Sequence, residues 1–294
     1  MEELWLAMAM MVLLSVAIFF VTRRLVTNSH PPLLDGLAVV IVLLVGLYVR
    51  FVWGQLWIVE WIPLPSVIVL ANWFPLFLGA LAGVLWERTK SQTFIRRLPS
   101  QALLIGATIW SEVYVIPRTP PQCGDEWIEP TEIIPYRICL QTTPKTCSAA
   151  AAATILTSLG IQTNEKEMAA LCLTREGTTW LGLYHGLSIR LRGTGFKAEF
   201  FECDVDGLDQ VTAEYPALLC CQLSNDVAAE FPVYSEERGW KVGISHSTVL
   251  FRHVGPYYLI GDPSQKDPEL WSDDDVANLW TGTGLRIVSL TESR

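Results

Sequence analysis

The sequence has no cysteine before residue 120, little charge, and none of the compact patterns that hold phosphate or zinc. Without a glycine-rich GxxxxGK[ST] loop it carries no built-in nucleotide motor. Its seven cysteines show neither CxxC spacing nor clustering with its four histidines, so a structural metal is not expected. It also lacks a basic stripe, and acidic surfaces repel phosphate backbones, which disfavours nucleic acid as a partner. What charge there is divides unevenly. Up to Pro117 there are seven Lys/Arg and six Asp/Glu, whereas the remainder has 14 against 24, a balance of −10. At 294 residues, 51% of them hydrophobic, the chain accommodates a membrane segment and one domain of ordinary size.

The apolar residues are concentrated at the start. Leu4 to Val21 is eighteen residues without a charge, about the minimum for a hydrocarbon core of roughly 30 Å. Glu2 and Glu3 precede this run and Arg23 and Arg24 follow it, the reverse of a cleaved signal peptide. Spans are therefore expected at about residues 4–22, 33–53 and 64–86, with Trp53, Trp57, Trp61 and Trp86 at the interfaces. Basic residues follow the first and third spans (Arg88, Lys90, Arg96 and Arg97 after the third), and none lies in the 55–63 connection. Both basic connections are thus expected in the cytoplasm. Residues 98–116 are a candidate fourth span despite Glu112, which is costly in a membrane. With that crossing the following domain faces outward; without it, inward. These readings make residues 1–117 an anchor, 118–137 a linker opened by the PRTPP run at 117–121, and 138–294 a folded domain.

Residues 141–160 read QTTPKTCSAAAAATILTSLG: a turn at Pro144, then Cys147, then an alanine-rich helix stopped by Gly160. A thiol at a helix N-terminus meets the positive end of the macrodipole, which favours the nucleophilic thiolate. Gln141, six residues earlier, is placed to donate to an oxyanion together with the Cys147 backbone N–H. Taken alone, Cys147 reads better as an inert buried cysteine ahead of a packing helix. The second piece is GISHSTVLFRHVGPYYLIGDP at 243–263, two strands joined at Gly255 and Pro256. That hairpin brings His246 and Asp262 near one open end, so an imidazole could take the thiol proton while a carboxylate holds its orientation. His253 and His185 are the rival bases.

With these residues in view, the chain resembles the papain-like peptidases that cleave leader peptides after a double glycine, cysteine peptidase family thirty-nine. The resemblance runs over about 138–289 and includes Gln141, Cys147, the alanine-rich helix, GTTWLGL at 177–183, GFKAEFF at 195–201, and His246 with Asp262 sixteen residues on. It implies an α+β papain-like domain behind the α-helical transmembrane region, with Cys147 as nucleophile, His246 as general base and acid, Asp262 as orienting group and Gln141 as oxyanion donor. It implies hydrolysis of a peptide or protein substrate without a cofactor, at a lipid bilayer that is the bacterial inner membrane. It also brings in a separate ATP-driven exporter as a partner, because relatives are commonly fused to one.

Three features depart from that family. Thr146, Cys147 and Ser148 stand where relatives usually have an acidic residue and Cys-Gly; 224–242 reads as a polar insertion able to reshape the cleft; and no ATP-driven engine follows the spans. A catalytically idle peptide-binding module and a related amidase or transferase are the alternative functions. Elsewhere, Asn164 with Glu167 reads as a helix cap, Ser272 with Asp273, Asp274 and Asp275 as another cap rather than a calcium loop, and Cys123 with Cys139 as a candidate disulfide.

Overall fold

The structure, a computed structural model, describes residues 2–113, 120–131 and 135–290. The end of the candidate fourth span, 114–116, and linker residues 118–119 and 132–134 lie outside the described residues. The chain divides into two units, Met1–Ile58 with Ser66–Ile116, and Val59–Pro65 with Pro117–Arg294.

In the first unit, three helices among the described residues are long and apolar enough to cross a membrane: α1 (Glu2–Leu25), α2 (Pro31–Phe51), and Val67–Arg88, whose main body is α3 (Phe74–Arg88). Their mean hydropathies are 2.6, 2.4 and 2.0. The helix α4 (Phe94–Val113) covers much of the candidate fourth span but begins at Phe94, so it takes in Arg96 and Arg97. The first helix likewise starts earlier than its apolar run, because Glu2 and Glu3 suit its positive N-terminal end and Arg23 and Arg24 its last turn. α1 packs along α3. A side chain at Gly79 would collide with the backbone of Ser15, so the close approach of these helices requires a glycine there. Ser15 Oγ donates to the Pro75 carbonyl at 2.5 Å, and Tyr48 Oη to that of Ala71 at 2.6 Å. Leu6, Leu13, Phe20, Leu43 and Leu47 remain exposed, an outward apolar surface of the kind hydrocarbon covers.

The second unit is an α+β domain. Three helices come first, α5 (Cys147–Ser158), α6 (Glu165–Leu171) and α7 (Trp180–Leu191). Before them, the short strands β1 (Glu126–Ile128) and β2 (Ile138–Leu140) pair antiparallel, Trp127 opposite Cys139. After them comes a six-stranded antiparallel sheet of β3 (Phe196–Glu202), β4 (Ala217–Gln222), β5 (Ser245–Val254), β6 (Tyr257–Gly261), β7 (Glu269–Trp271) and β8 (Trp280–Ser289), in the order β3-β8-β4-β5-β6-β7. α8 (Asp273–Leu279) precedes β8 and opens on a capping box between Ser272 and Asp275.

Small side chains explain how α5 reaches the sheet. Ser148 through Leu156 are all buried, and five successive alanines let β5, β2, α6 and α7 approach the helix from several sides. The GTTWLGL segment serves the same packing. A Cβ at Gly182 would stand 2.5 Å from the Cys172 carbonyl, so only glycine allows the end of α6 to close on α7 there. Cys123 and Cys139 are both free thiols, and Cys139, on β2, is fully buried.

Candidate active site

Cys147 is the first residue of α5, so its sulfur sits among the unsatisfied N–H groups of a helix start. The turn before it is held by its own hydroxyls: Thr146 Oγ1 donates to the Thr143 carbonyl at 3.0 Å and also meets Thr143 Oγ1. Ahead of that turn, Thr142 gives its N–H and hydroxyl to the two oxygens of Glu165, at 2.8 and 2.7 Å. Glu165 is fully buried. Nothing local in the sequence singled it out, since its partners lie 23 residues away; a carboxylate at the first position of a helix was the only signal.

His246 stands near the start of β5, and Asp262 follows the last residue of β6. The ladder pairs Val249 with Gly261, which places Asp262 opposite Thr248 and diagonal to His246 on the same face. His246 Nε2 donates to Asp262 Oδ1 at 2.7 Å, and Ser264 adds its N–H and hydroxyl to the same oxygen at 2.7 Å each. That leaves the other ring nitrogen, Nδ1, for Cys147, with which His246 shares a hydrogen bond. The ring of Trp240 stands edge-on to the imidazole, centroids 5.1 Å apart, and rests on Trp271 behind it.

The electrostatics follow from these contacts. Burial pushes the Cys147 thiol up, but the His246 hydrogen bond and charge, the Ser247 N–H and the Ser148 hydroxyl reverse this and leave it below the ordinary thiol range. Burial alone would lower the imidazole; Asp262 and the Cys147 sulfur outweigh it and raise it to about 10. Burial would raise the Asp262 carboxyl, and His246 and Ser264 together hold it below the usual carboxylate range. The arrangement favours a thiolate facing an imidazolium.

A cleft of about 110 Å³ opens over this pair, lined by Gln141, Pro144, Cys147, Trp240 and His246 among others. Gln141 is tied to the acid side of the site, its N–H donating to the Pro263 carbonyl at 2.8 Å. All four residues singled out in the sequence are thus brought together, three lining the cleft and Asp262 directly behind His246. The rival histidines stand elsewhere. His253 stacks on Tyr258 and meets Asp209 at 3.1 Å, and His185 is buried on α7 with Nδ1 on the Pro65 carbonyl.

The polar stretch before β5 forms two short helices, Asn225–Glu230 and Val233–Glu236, and then crosses the cleft with Arg238, Gly239, Trp240 and Lys241. It is pinned by Asp275, which accepts from Tyr234 Oη and from Arg238, both at 2.9 Å. Its polar composition concealed that Tyr234 and Trp240 belong to the core.

Helices followed by an antiparallel sheet, with the thiol-bearing helix laid against the strand that carries the imidazole, is the papain-like arrangement. The chain belongs to the peptidase C39 family, whose model matches residues 135–291, and so to a family of cysteine peptidases. Among solved structures it is similar to the peptidase domain of Streptococcus ComA, a bi-functional ABC transporter involved in quorum sensing (18% identity, 51% of this chain and 96% of that one, TM-score 0.40). The corresponding domain of Streptococcus mutans ComA is also 18% identical over 51% of this chain and 96% of that one, with a TM-score of 0.34. A double glycine motif protease from an AMS/PCAT transporter, in complex with the leader peptide, is 16% identical over 59% of this chain and 96% of that one, with a TM-score of 0.37. No curated protein matches the chain.

Proposed function

We propose that the protein is a membrane-anchored cysteine endopeptidase that hydrolyses a peptide after a double-glycine leader. The observation that carries this reading is the buried His246–Asp262 pair, 2.7 Å apart, set beside a thiol at a helix start. In the proposed reaction the Cys147 thiolate attacks the scissile carbonyl, and the oxyanion accepts from Gln141 Nε2 and the Cys147 N–H. His246 gives its proton to the departing amine, leaving a thioester on Cys147. A water that loses its proton to His246 then hydrolyses the thioester, and collapse returns the thiolate and imidazolium. Asp262 stays ionised and holds the ring.

The glycine preference follows the family, and Trp240 and Pro144 in the cleft lining are the side chains a leader's end would meet beside Cys147. The apolar helices of the first unit would hold the enzyme in the bacterial inner membrane. With α4 as a fourth crossing and Arg23, Arg24 and Arg88 inside, the peptidase domain faces outward, where it would meet peptides delivered by a separate ATP-driven exporter. The test uses the full chain in detergent with leader peptides that carry Gly-Gly, Gly-Ala or Ala-Ala before the scissile bond. Cleavage confined to the Gly-Gly peptide, and lost in Cys147→Ala and His246→Ala, is expected. Equal cleavage of all three would overturn the specificity, and cleavage by Cys147→Ala the mechanism.

A further inference from the structure

Ser148 and Ser247 immediately follow the candidate nucleophile and the candidate base, and both are buried, at 3% and 0% exposure. Their hydroxyl oxygens lie 2.8 Å apart and bridge α5 to β5, while Ser148 Oγ stands 3.9 Å from Cys147 Sγ. Each hydroxyl has one proton to give. Among the described residues, Ser247 Oγ meets only Ser148, whereas Ser148 Oγ meets both Ser247 and the sulfur. If Ser148 donated to Ser247, the proton of Ser247 would have no acceptor in a fully buried place. The opposite order, Ser247 to Ser148 to sulfur, uses both protons.

We propose that Ser148 is a further catalytic residue, whose hydroxyl donates to the Cys147 thiolate with Ser247 acting behind it as a positioning residue. This rests on the reading of Cys147 as nucleophile. At 3.9 Å the contact to sulfur is long in the resting enzyme, and bonds of this kind tighten as the acceptor gains charge. The Ser247 N–H reaches the same sulfur, so two consecutive groups of β5, His246 and Ser247, and one hydroxyl of α5 converge on it. The serine bridge also fixes the spacing between helix and strand on which the Cys147–His246 contact depends.

A donor to the charged form favours that form, so removing it must raise the pH at which Cys147 becomes reactive. The measurement is the pH dependence of alkylation by iodoacetamide in the full chain, read by mass spectrometry on the tryptic peptide 146–166, which holds no other cysteine. Ser148→Ala extends an existing run of alanines and loses only the hydroxyl. It is expected to move the acid limb upward by about one pH unit. Ser247→Ala should move it less, and the double variant no further than Ser148→Ala alone, because Ser247 acts through Ser148. A structural role for the pair would instead show as two independent losses of melting temperature with the limb in place. Should Ser148→Ala not fold, Ser148→Gly, the residue usual in the family, carries the same expectation. A low wild-type limb left unmoved by these variants overturns this proposal alone. A wild-type limb in the ordinary thiol range overturns the nucleophile reading and this proposal with it.

Discussion

Cys147 and Cys221 are both neighbours of His246, and their chemistry is opposite. Cys221 is its ladder partner across β4 and β5, and Cys147 reaches it from the start of α5. Burial pushes the Cys221 thiol well above the ordinary range and adjacent Cys220 up to about 12, while Cys147, also buried, is held below it. Burial alone makes a cysteine inert. What separates the sites is direction: Cys221 Sγ turns to Thr248 Oγ1 at 3.6 Å, whereas Cys147 receives the imidazole, the Ser247 N–H and the Ser148 hydroxyl. Adjacency to a histidine in the sheet register therefore does not make a nucleophile; the charge must be aimed at the sulfur.

The sharpest way to break this contrast is substitution at both places. Cys147→Ala should drop cleavage of a Gly-Gly peptide to background, a loss on the order of 10⁴-fold or more, while Cys221→Ala stays within about threefold of wild type in the same peptide assay. Next in size, Asp262→Asn should lower kcat by about 10³- to 10⁴-fold, because the ring loses both its orientation and its charge partner. In a pH series of alkylation rates, His246→Ala should move the Cys147 limb up to the ordinary thiol range of about 8.5 or higher, erasing the difference from an isolated thiol.

The pair also predicts a stability window. Asp262 is lowered on folding, so its contribution is present above about pH 3.9 and is lost as pH falls through its folded value. His246 is raised to about 10, so its contribution is complete below about pH 6.5 and fades as pH rises through 10. The melting-temperature gap between wild type and Asp262→Asn should therefore be widest from about pH 4 to 6.5 and narrow on both sides. A gap that failed to narrow below and above that window would deny the coupling. The smallest effect belongs to Glu165→Gln. It keeps the shape but weakens the two bonds to Thr142, and should cost about 1–3 kcal/mol in urea unfolding, with the alkylation limb little changed.

Periodicity and local chemistry were enough to read the long apolar helices, the alanine-rich helix, the caps at Asn164 and Ser272, and the β5–β6 hairpin, because each depends on residues close in sequence. What escaped is non-local. β1 and β2 contribute three residues each, too few for a pattern, and exist because they pair with each other. β8 runs from Trp280, and its first half is specified by β4 and β3 rather than by alternation. The 224–242 stretch was legible as polar but not as a wall of the cleft. Asp275 explains why: it was read as one of three capping acids, yet it also anchors Tyr234 and Arg238 about forty residues away.

The run Ala149–Ala153 has a consequence for how this chain can change. All five side chains are wholly enclosed, and the helix they form begins with Cys147. A larger residue at any of them would lever the helix off β5 and carry the sulfur with it. In a saturation library selected for leader cleavage, these five positions should admit little beyond glycine and serine, while Lys145 and Glu176, paired on the surface nearby, should vary freely. Diversity in substrate choice would accordingly accumulate in the crossing segment around Arg238 and Lys241, a wall of the cleft that does not carry the thiol.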